Sequence, residues 1–95
     1  MNTSQHTIIH DTKAQQFFIL VNDEKCYAAY TMIDSNTLDF YHTFTPTSLR
    51  GQGIAAAVVH AALEYAAQNH FHVIPTCSYV RRYISQHKEF LDLIE

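Results

Sequence analysis

The chain has 95 residues, 47% of them hydrophobic, and a net charge of −3 with its histidines neutral. That length provides one modest core over residues 1–95 and excludes a second domain; the balance of apolar and charged residues excludes a disordered tail. Six Lys and Arg against nine Asp and Glu exclude nucleic acid as the main partner, because a phosphate backbone calls for clustered cations.

The first expected element is short, Thr7 to His10, ending in the polar turn Asp11-Thr12-Lys13. Gln16 to Val21 is aromatic and β-branched, hence a strand. Asn22-Asp23-Glu24 has hairpin-turn composition. A strand from Lys25 to Ile33 follows, with Tyr27, Ala29 and Thr31 on one face and Cys26, Ala28, Tyr30 and Met32 on the other. Asp34-Ser35-Asn36 turns the chain again. Thr37 to Thr45 alternates, placing Leu38, Phe40, His42 and Phe44 on one face. Four strands with short turns form an antiparallel meander.

Pro46 ends that run. A helix is expected over roughly Gln52 to Gln68, with apolar positions at Ile54, Val58, Ala61 and Tyr65 and again at Ala55, Val59, Ala62 and Ala66. Its polar stripe is His60, Glu64 and Gln68, and Asn69 caps its end. His72 to Cys77 then reads as a strand, parallel to the meander after the helical crossover. Tyr79–Ser85 and Lys88–Ile94 read as two short helices. The order is β-β-β-β-α-β-α, an α/β arrangement on one mixed sheet.

Both glycines of the chain, Gly51 and Gly53, lie in the turn between the fourth strand and the long helix. Strand, glycine turn and helix together aim bare backbone N–H groups at a phosphate. Glycine is needed there for positive φ or close backbone approach. The turn is therefore expected to hold the pyrophosphate of a coenzyme. Arg50, Arg81 and Arg82 are the cations placed for an anionic ligand, although Arg81 and Arg82 also suit a solvated face.

The seven histidines are spread along the chain and no metal site is expected; His70 and His72 read as strand-edge residues. Cys26 and Cys77 are far apart without a Cys-x-x-Cys motif, which argues against a disulfide framework and for a reducing, cytoplasmic setting. Met1 to His6 lacks the basic and apolar regions of a signal peptide. No apolar run approaches the ~20 residues of a membrane span, so no membrane partner is expected. A chain this short is expected to act as a monomer.

Arg50-Gly51-Gln52-Gly53-Ile54-Ala55 resembles the Q/R-x-x-G-x-G/A signature of the GNAT superfamily of acetyl-CoA-dependent N-acetyltransferases. Pro75-Thr76-Cys77-Ser78-Tyr79-Val80, with Tyr83 and His87, resembles the very small single-domain proteins of that superfamily. The likeness implies a mostly antiparallel mixed sheet, split at the coenzyme A (CoA) site. The chain begins directly on its first strand, without the helices that usually follow that strand and shape the acceptor site. The likeness further implies that amides from Gln52 to Ala55, including Gly53 and Ile54, hold the pyrophosphate, with Arg50 and Gly51 shaping the turn. The backbone of Phe44 and Thr45 would pair with the pantetheine arm, and Tyr83 would join the coenzyme site. The thioester would arrive between His42 and Cys77.

Thioester aminolysis needs a neutral amine, a stabilised carbonyl oxygen and a proton for the leaving thiolate. His42 suits the base role, since histidine titrates near neutrality; it also suits a satisfied position in a sheet. Cys77 offers a route through an acyl-enzyme, or serves as a small buried hydrophobe. An unperturbed thiol titrates at about 8.5, so Cys77 would need help from His42 and the helix beginning near Ser78. Tyr79 or Tyr83 would protonate the thiolate, Tyr79 being the catalytic candidate. The expected function is acetyl-CoA-dependent acyl transfer to an amine. The alternatives are a non-catalytic acyl-CoA-binding module acting through a protein partner, and an interaction domain using its open sheet edge.

Overall fold

The computed structural model describes residues 7–94. Its elements are β1 (Ile9–Asp11), β2 (Gln16–Val21), β3 (Glu24–Asp34), β4 (Thr37–Phe44), a 3-10 turn (Thr47–Leu49), α1 (Ile54–Gln68), β5 (His72–Ile74), α2 (Ser78–Gln86) and a 3-10 segment (Lys88–Ile94). The sheet order is β1-β2-β3-β4-β5. The first four strands run antiparallel, and β5 runs parallel to β4. Only the turn at 12–15 joins β1 to β2.

Local chemistry explains the corners. The β2–β3 hairpin turns on Asn22 and Asp23, at φ 52° and 66°. Two positive φ values match the right-handed twist of the strands, and Asn and Asp adopt them more readily than other non-glycine residues. At the other end of α1, the Phe71 N–H donates to Ala66 O (2.8 Å) and the His70 N–H to Ala67 O (3.3 Å). That pairing, with Asn69 as cap and His70 at φ 61°, is a left-handed helix stop in which glycine is usual. His70 therefore ends the helix and is not a strand residue.

Phe17 and Ile19 of β2, Cys26, Ala28 and Tyr30 of β3, Leu38 and Phe40 of β4 and Val73 of β5 pack against α1. Its contribution is Ile54, Val58, Val59, Ala62, Leu63 and Ala66, joined by Val80 and Ile84 of α2 and by Phe90 and Leu93. Burying each such large side chain contributes about 1.5–3 kcal/mol. All the helices thus sit on one face of the sheet.

Two further features differ from the sequence reading, and both shape the site. Ala29 pairs with His42 but Tyr30 pairs with Phe40, so Tyr41 is an extra residue on β4. Such a bulge reverses the inward–outward alternation beyond it. Leu38 and Phe40 face the core, as expected. His42 and Phe44 do not share their face: they turn outward with Ala29 and Tyr27, and Thr43 turns inward. The second difference is β5, which ends at Ile74, short of Cys77. Pro75 has no N–H to continue the ladder. β5 pairs only with Thr37, Leu38 and Asp39. The Cys77 N–H then donates to Phe40 O at 2.9 Å, and beyond that link His42, Thr43 and Phe44 have a strand partner only in β3.

Candidate functional site

The split opens onto a cleft of about 430 Å³. Its walls are Thr43 and Phe44 from the open half of β4, Thr45 just after it, Leu49 to Gly51 and Gly53 from the turn, Ile54 to Ala56 from α1, and Tyr79 from α2. The sequence reading named most of this wall: Phe44, Thr45, Arg50, Gly51, Gly53, Ile54, Ala55 and Tyr79. It missed Thr43, Leu49 and Ala56. The bulge that turns Thr43 inward leaves no mark in the alternation, whereas the run Ala55-Ala56-Ala57 is a visible sign of open access to a helix start.

Gly51 and Gly53 both have φ 77°, the left-handed region that other residues enter at a cost of about 1–2 kcal/mol. A Cβ on either would meet nothing within 4 Å, so conformation, not space, demands glycine. Gly53 is the N-cap of α1, and no side chain caps that end. The first turn holds no carboxylate. The first cross-turn bond runs from Ala57 N–H to Gly53 O at 3.1 Å; the N–H groups before it lack intrahelical carbonyls. They carry the positive end of the helix dipole, roughly half a charge. Arg50 Nε donates to Thr45 O at 3.2 Å, which fixes the turn to the end of β4. Gln52 is tied back, its Nε2 donating to Ser48 O at 2.9 Å, and its side chain stays out of the cleft wall.

Tyr79 and Tyr83, equivalent in the sequence, are separated by the structure. Tyr79 borders the cleft. Burial pushes its phenol above the ordinary tyrosine range, and the charge of Cys26 adds to the rise, so Tyr79 keeps its proton through neutral pH. Tyr83 is buried between the helices. His60 Nε2 lies 3.3 Å from the Glu64 carboxylate, and the tautomer that serves Glu64 leaves Nδ1 to accept from the Tyr83 hydroxyl at 2.8 Å. The Tyr83 ring stacks on His87 with centroids 3.8 Å apart. Tyr83 braces α2 against α1 and forms no part of the cleft wall.

Cys77 is half-buried at the N-cap of α2. Its Sγ is 3.7 Å from the hydroxyl of Thr43, which lines the cleft. Cys26 is fully buried, its Sγ 3.5 Å from Thr45 Oγ1; burial raises its thiol pKa, against the lowering effect of Thr45. Arg81 turns its guanidinium to Thr76 O at 3.2 Å. His42 stands on the other face of β4, its ring edge-on to Tyr27 with centroids 5.8 Å apart. A shallower cleft of about 770 Å³ opens on that face, lined by Glu24, Lys25, Tyr27, Phe44, Pro46, Thr47 and Ser48. Phe44 borders both clefts. No cluster of three or more metal-ligating side chains occurs among the described residues, and no described helix is long and apolar enough to cross a membrane.

A four-strand meander, a glycine turn and a capless helix over a split sheet together make a GNAT-like architecture. The profile of the GCN5-related N-acetyltransferase family matches residues 16–93, and the chain belongs to that family, whose fold generally uses acetyl-CoA. Protein NATD1 of Xenopus tropicalis is 28% identical over 86 residues, covering 88% of this chain and 79% of the relative. Human protein NATD1 is 28% identical over 79 residues, covering 81% and 70%. The solution structure of a GCN5-like N-acetyltransferase candidate from Staphylococcus aureus shares the fold, with a TM-score of 0.73 at 24% identity over 92% of this chain and 85% of that one.

Proposed function

We propose that residues 1–95 form one acyltransferase domain that takes acetyl-CoA as co-substrate and transfers its acyl group to an amine. The observation that carries this reading is the capless N-terminus of α1, opening beside an unpaired half-strand in one cleft. Amides from Gln52 to Ala55 hold the pyrophosphate, and the open edge at Phe44 and the adjoining Thr45 pairs with the pantetheine arm. Small side chains at Ala55 and Ala56 keep the approach clear. Two unpaired thiols support a reducing, cytoplasmic setting, and the protein acts as a monomer.

The thioester then enters the slot between β4 and α2. From the outer face, His42 takes a proton from the amine. The nitrogen lone pair attacks the carbonyl carbon, the C–S bond breaks, and Tyr79 gives its proton to the leaving thiolate. In the second route, the Cys77 thiolate accepts the acyl group first and yields it to the amine. The position of Cys77 at the start of α2, beside a residue of the cleft wall, supports that route.

Calorimetry with CoA and acetyl-CoA tests the donor site; absence of heat at high protein concentration would remove the reading. Intact-mass measurement after incubation with acetyl-CoA separates the routes. One acetyl group that disappears in Cys77→Ala supports the acyl-enzyme, whereas amine acetylation without an adduct supports direct transfer. Coenzyme binding with neither product would favour the non-catalytic module.

A further inference from the structure

No described element covers the sheet face away from α1, and such a face is ordinarily polar. Here an apolar row crosses the four antiparallel strands: Ile9 pairs with Phe18, Phe18 with Tyr27 and Tyr27 with Phe44. Phe44, at one end of the row, is 44% exposed. The row runs into the outer cleft of about 770 Å³, where Tyr27, Phe44 and Pro46 form the apolar wall. That volume lies within the range of about 300–1,000 Å³ in which small-molecule sites fall.

One cation stands in this wall. Lys25 is half-buried and lines the cleft. Its Nζ lies 4.5 Å from the Phe18 ring centroid and 5.9 Å from that of Tyr27. The chain gives that ammonium no counter-ion, because the one ion pair among the described residues joins His60 to Glu64. Glu24, the preceding residue and also in the wall, accepts from the Ser48 hydroxyl instead. An ammonium has three donors and no acceptor. Aromatic neighbours strip part of its water, and an anion beside it then gains more than it would in bulk solvent. The Glu24 carboxylate in the same wall opposes a second negative charge, so the cleft suits a monoanion. The Tyr27 and Phe44 rings lie 5.8 Å apart at 36° to each other. They offer apolar surface to a planar ring, which packs on them in offset or edge-to-face contact and loses little conformational freedom.

The geometry points to the outer cleft as a binding site for an aromatic monocarboxylate, its ring against Tyr27 and Phe44 and its carboxylate accepting from Lys25 Nζ. This site stands apart from the acyl-transfer reading. Lys25 is four residues along β3 from Ala29, the partner of His42, a separation of about 13 Å. A small aryl acid held at Lys25 does not extend to the His42 imidazole, so it is a second ligand and not the acyl acceptor. Phe44 also lines the inner cleft, so this ligand touches a side chain that both clefts share.

The test is an amide-resonance titration of the ¹⁵N-labelled protein with 2-naphthoate. Its controls are 2-naphthylmethanol, which lacks the charge, and octanoate, which lacks the ring. Naphthoate should shift the amides of Lys25, Tyr27, Phe44 and Ser48, and both controls should bind more weakly. Lys25→Gln should weaken naphthoate binding about tenfold, as loss of a hydrogen bond between charged groups does. Lys25→Arg, which keeps the charge, should retain most of the affinity. Tyr27→Leu should weaken naphthoate more than octanoate, a comparison that does not depend on Lys25. Naphthylmethanol or octanoate binding as tightly as naphthoate, unchanged affinity in Lys25→Gln, or shifts confined to the α1 face would each overturn the proposal. Displacement of naphthoate by CoA would place the anion in the inner cleft and overturn it too. Absence of CoA binding removes the acyl-transfer reading alone, because the naphthoate shifts are read without coenzyme.

Discussion

The two halves of β4 belong to one continuous strand and do different work. Thr37 to Asp39 is paired on both sides, by β3 and by β5, and Leu38 and Phe40 are buried to 1% exposure. His42 to Phe44 is paired on one side only, and its side chains reach two clefts on opposite faces. The bulge at Tyr41 and the proline after β5 separate the halves. A closed half-strand has its backbone groups satisfied and its side chains packed, so it contributes stability. An open half-strand keeps a free hydrogen-bonding edge that a ligand can pair with.

The largest expected effect falls in the closed half. Phe40→Ala should cost about 3–5 kcal/mol of stability, as deletion of a buried aromatic does. Urea denaturation measures it, and coenzyme affinity per folded molecule should stay unchanged. A loss below about 1 kcal/mol would blur the distinction between the halves. At the open half the expectation is reversed. Tyr79→Phe should lower the rate of acetyl transfer, or of Cys77 acetylation, about 10²-fold, the lower range for loss of a general acid. Its urea midpoint should barely move; an unchanged rate would remove Tyr79 from the chemistry.

Gly53 lies between these extremes. Gly53→Ala meets no steric obstacle, so its cost of about 1–2 kcal/mol comes from the left-handed backbone alone. The loop can escape that strain only by turning its amides away, and calorimetric affinity for CoA should fall about tenfold. Gly53→Asn should retain more affinity than Gly53→Val, since Asn enters that region more easily. Equal affinities for Asn and Val would show that the φ value does not matter to binding.

The smallest effect is expected at His10 on β1, which β2 and β3 separate from β4. Its ring stacks on Phe17 at 4.0 Å and its Nε2 hydrogen-bonds with the Tyr30 hydroxyl at 2.7 Å. Burial lowers its pKa, and the opposing charge of Asp11 recovers only part of that. The unfolded chain therefore binds more protons than the folded one between the two values. Stability from neutral His10 is complete above its unfolded value of about 6.5 and is lost as pH falls towards the folded value. Thermal midpoints from pH 7.5 to 5 should decline less steeply in His10→Gln than in the wild type. Parallel curves would assign the acid sensitivity to other groups.

Much of this was legible in the sequence because the signals are local. Alternating Phe17, Ile19, Leu38 and Phe40 mark strands, and the 3.6-residue period from Ile54 to Ala66 marks the helix. Gly51 and Gly53, both in one turn, mark the place where positive φ is required. The difference between Tyr79 and Tyr83 could not be read, because one helical turn separates them and both are tyrosine. Their roles diverge only through what α1 presents: open space beside Ala56 for one, and His60 for the other.

The sequence by itself determined the element order, the core faces before the bulge and the glycine turn, since each depends on neighbours in the chain. The tertiary structure alone decided that His42 and Cys77 lie on opposite sides of β4. That outcome depends on one unpaired residue, Tyr41, and on how far β5 follows β4 before Pro75 ends it. Both are properties of pairing between strands distant in sequence, and neither strand carries the information alone.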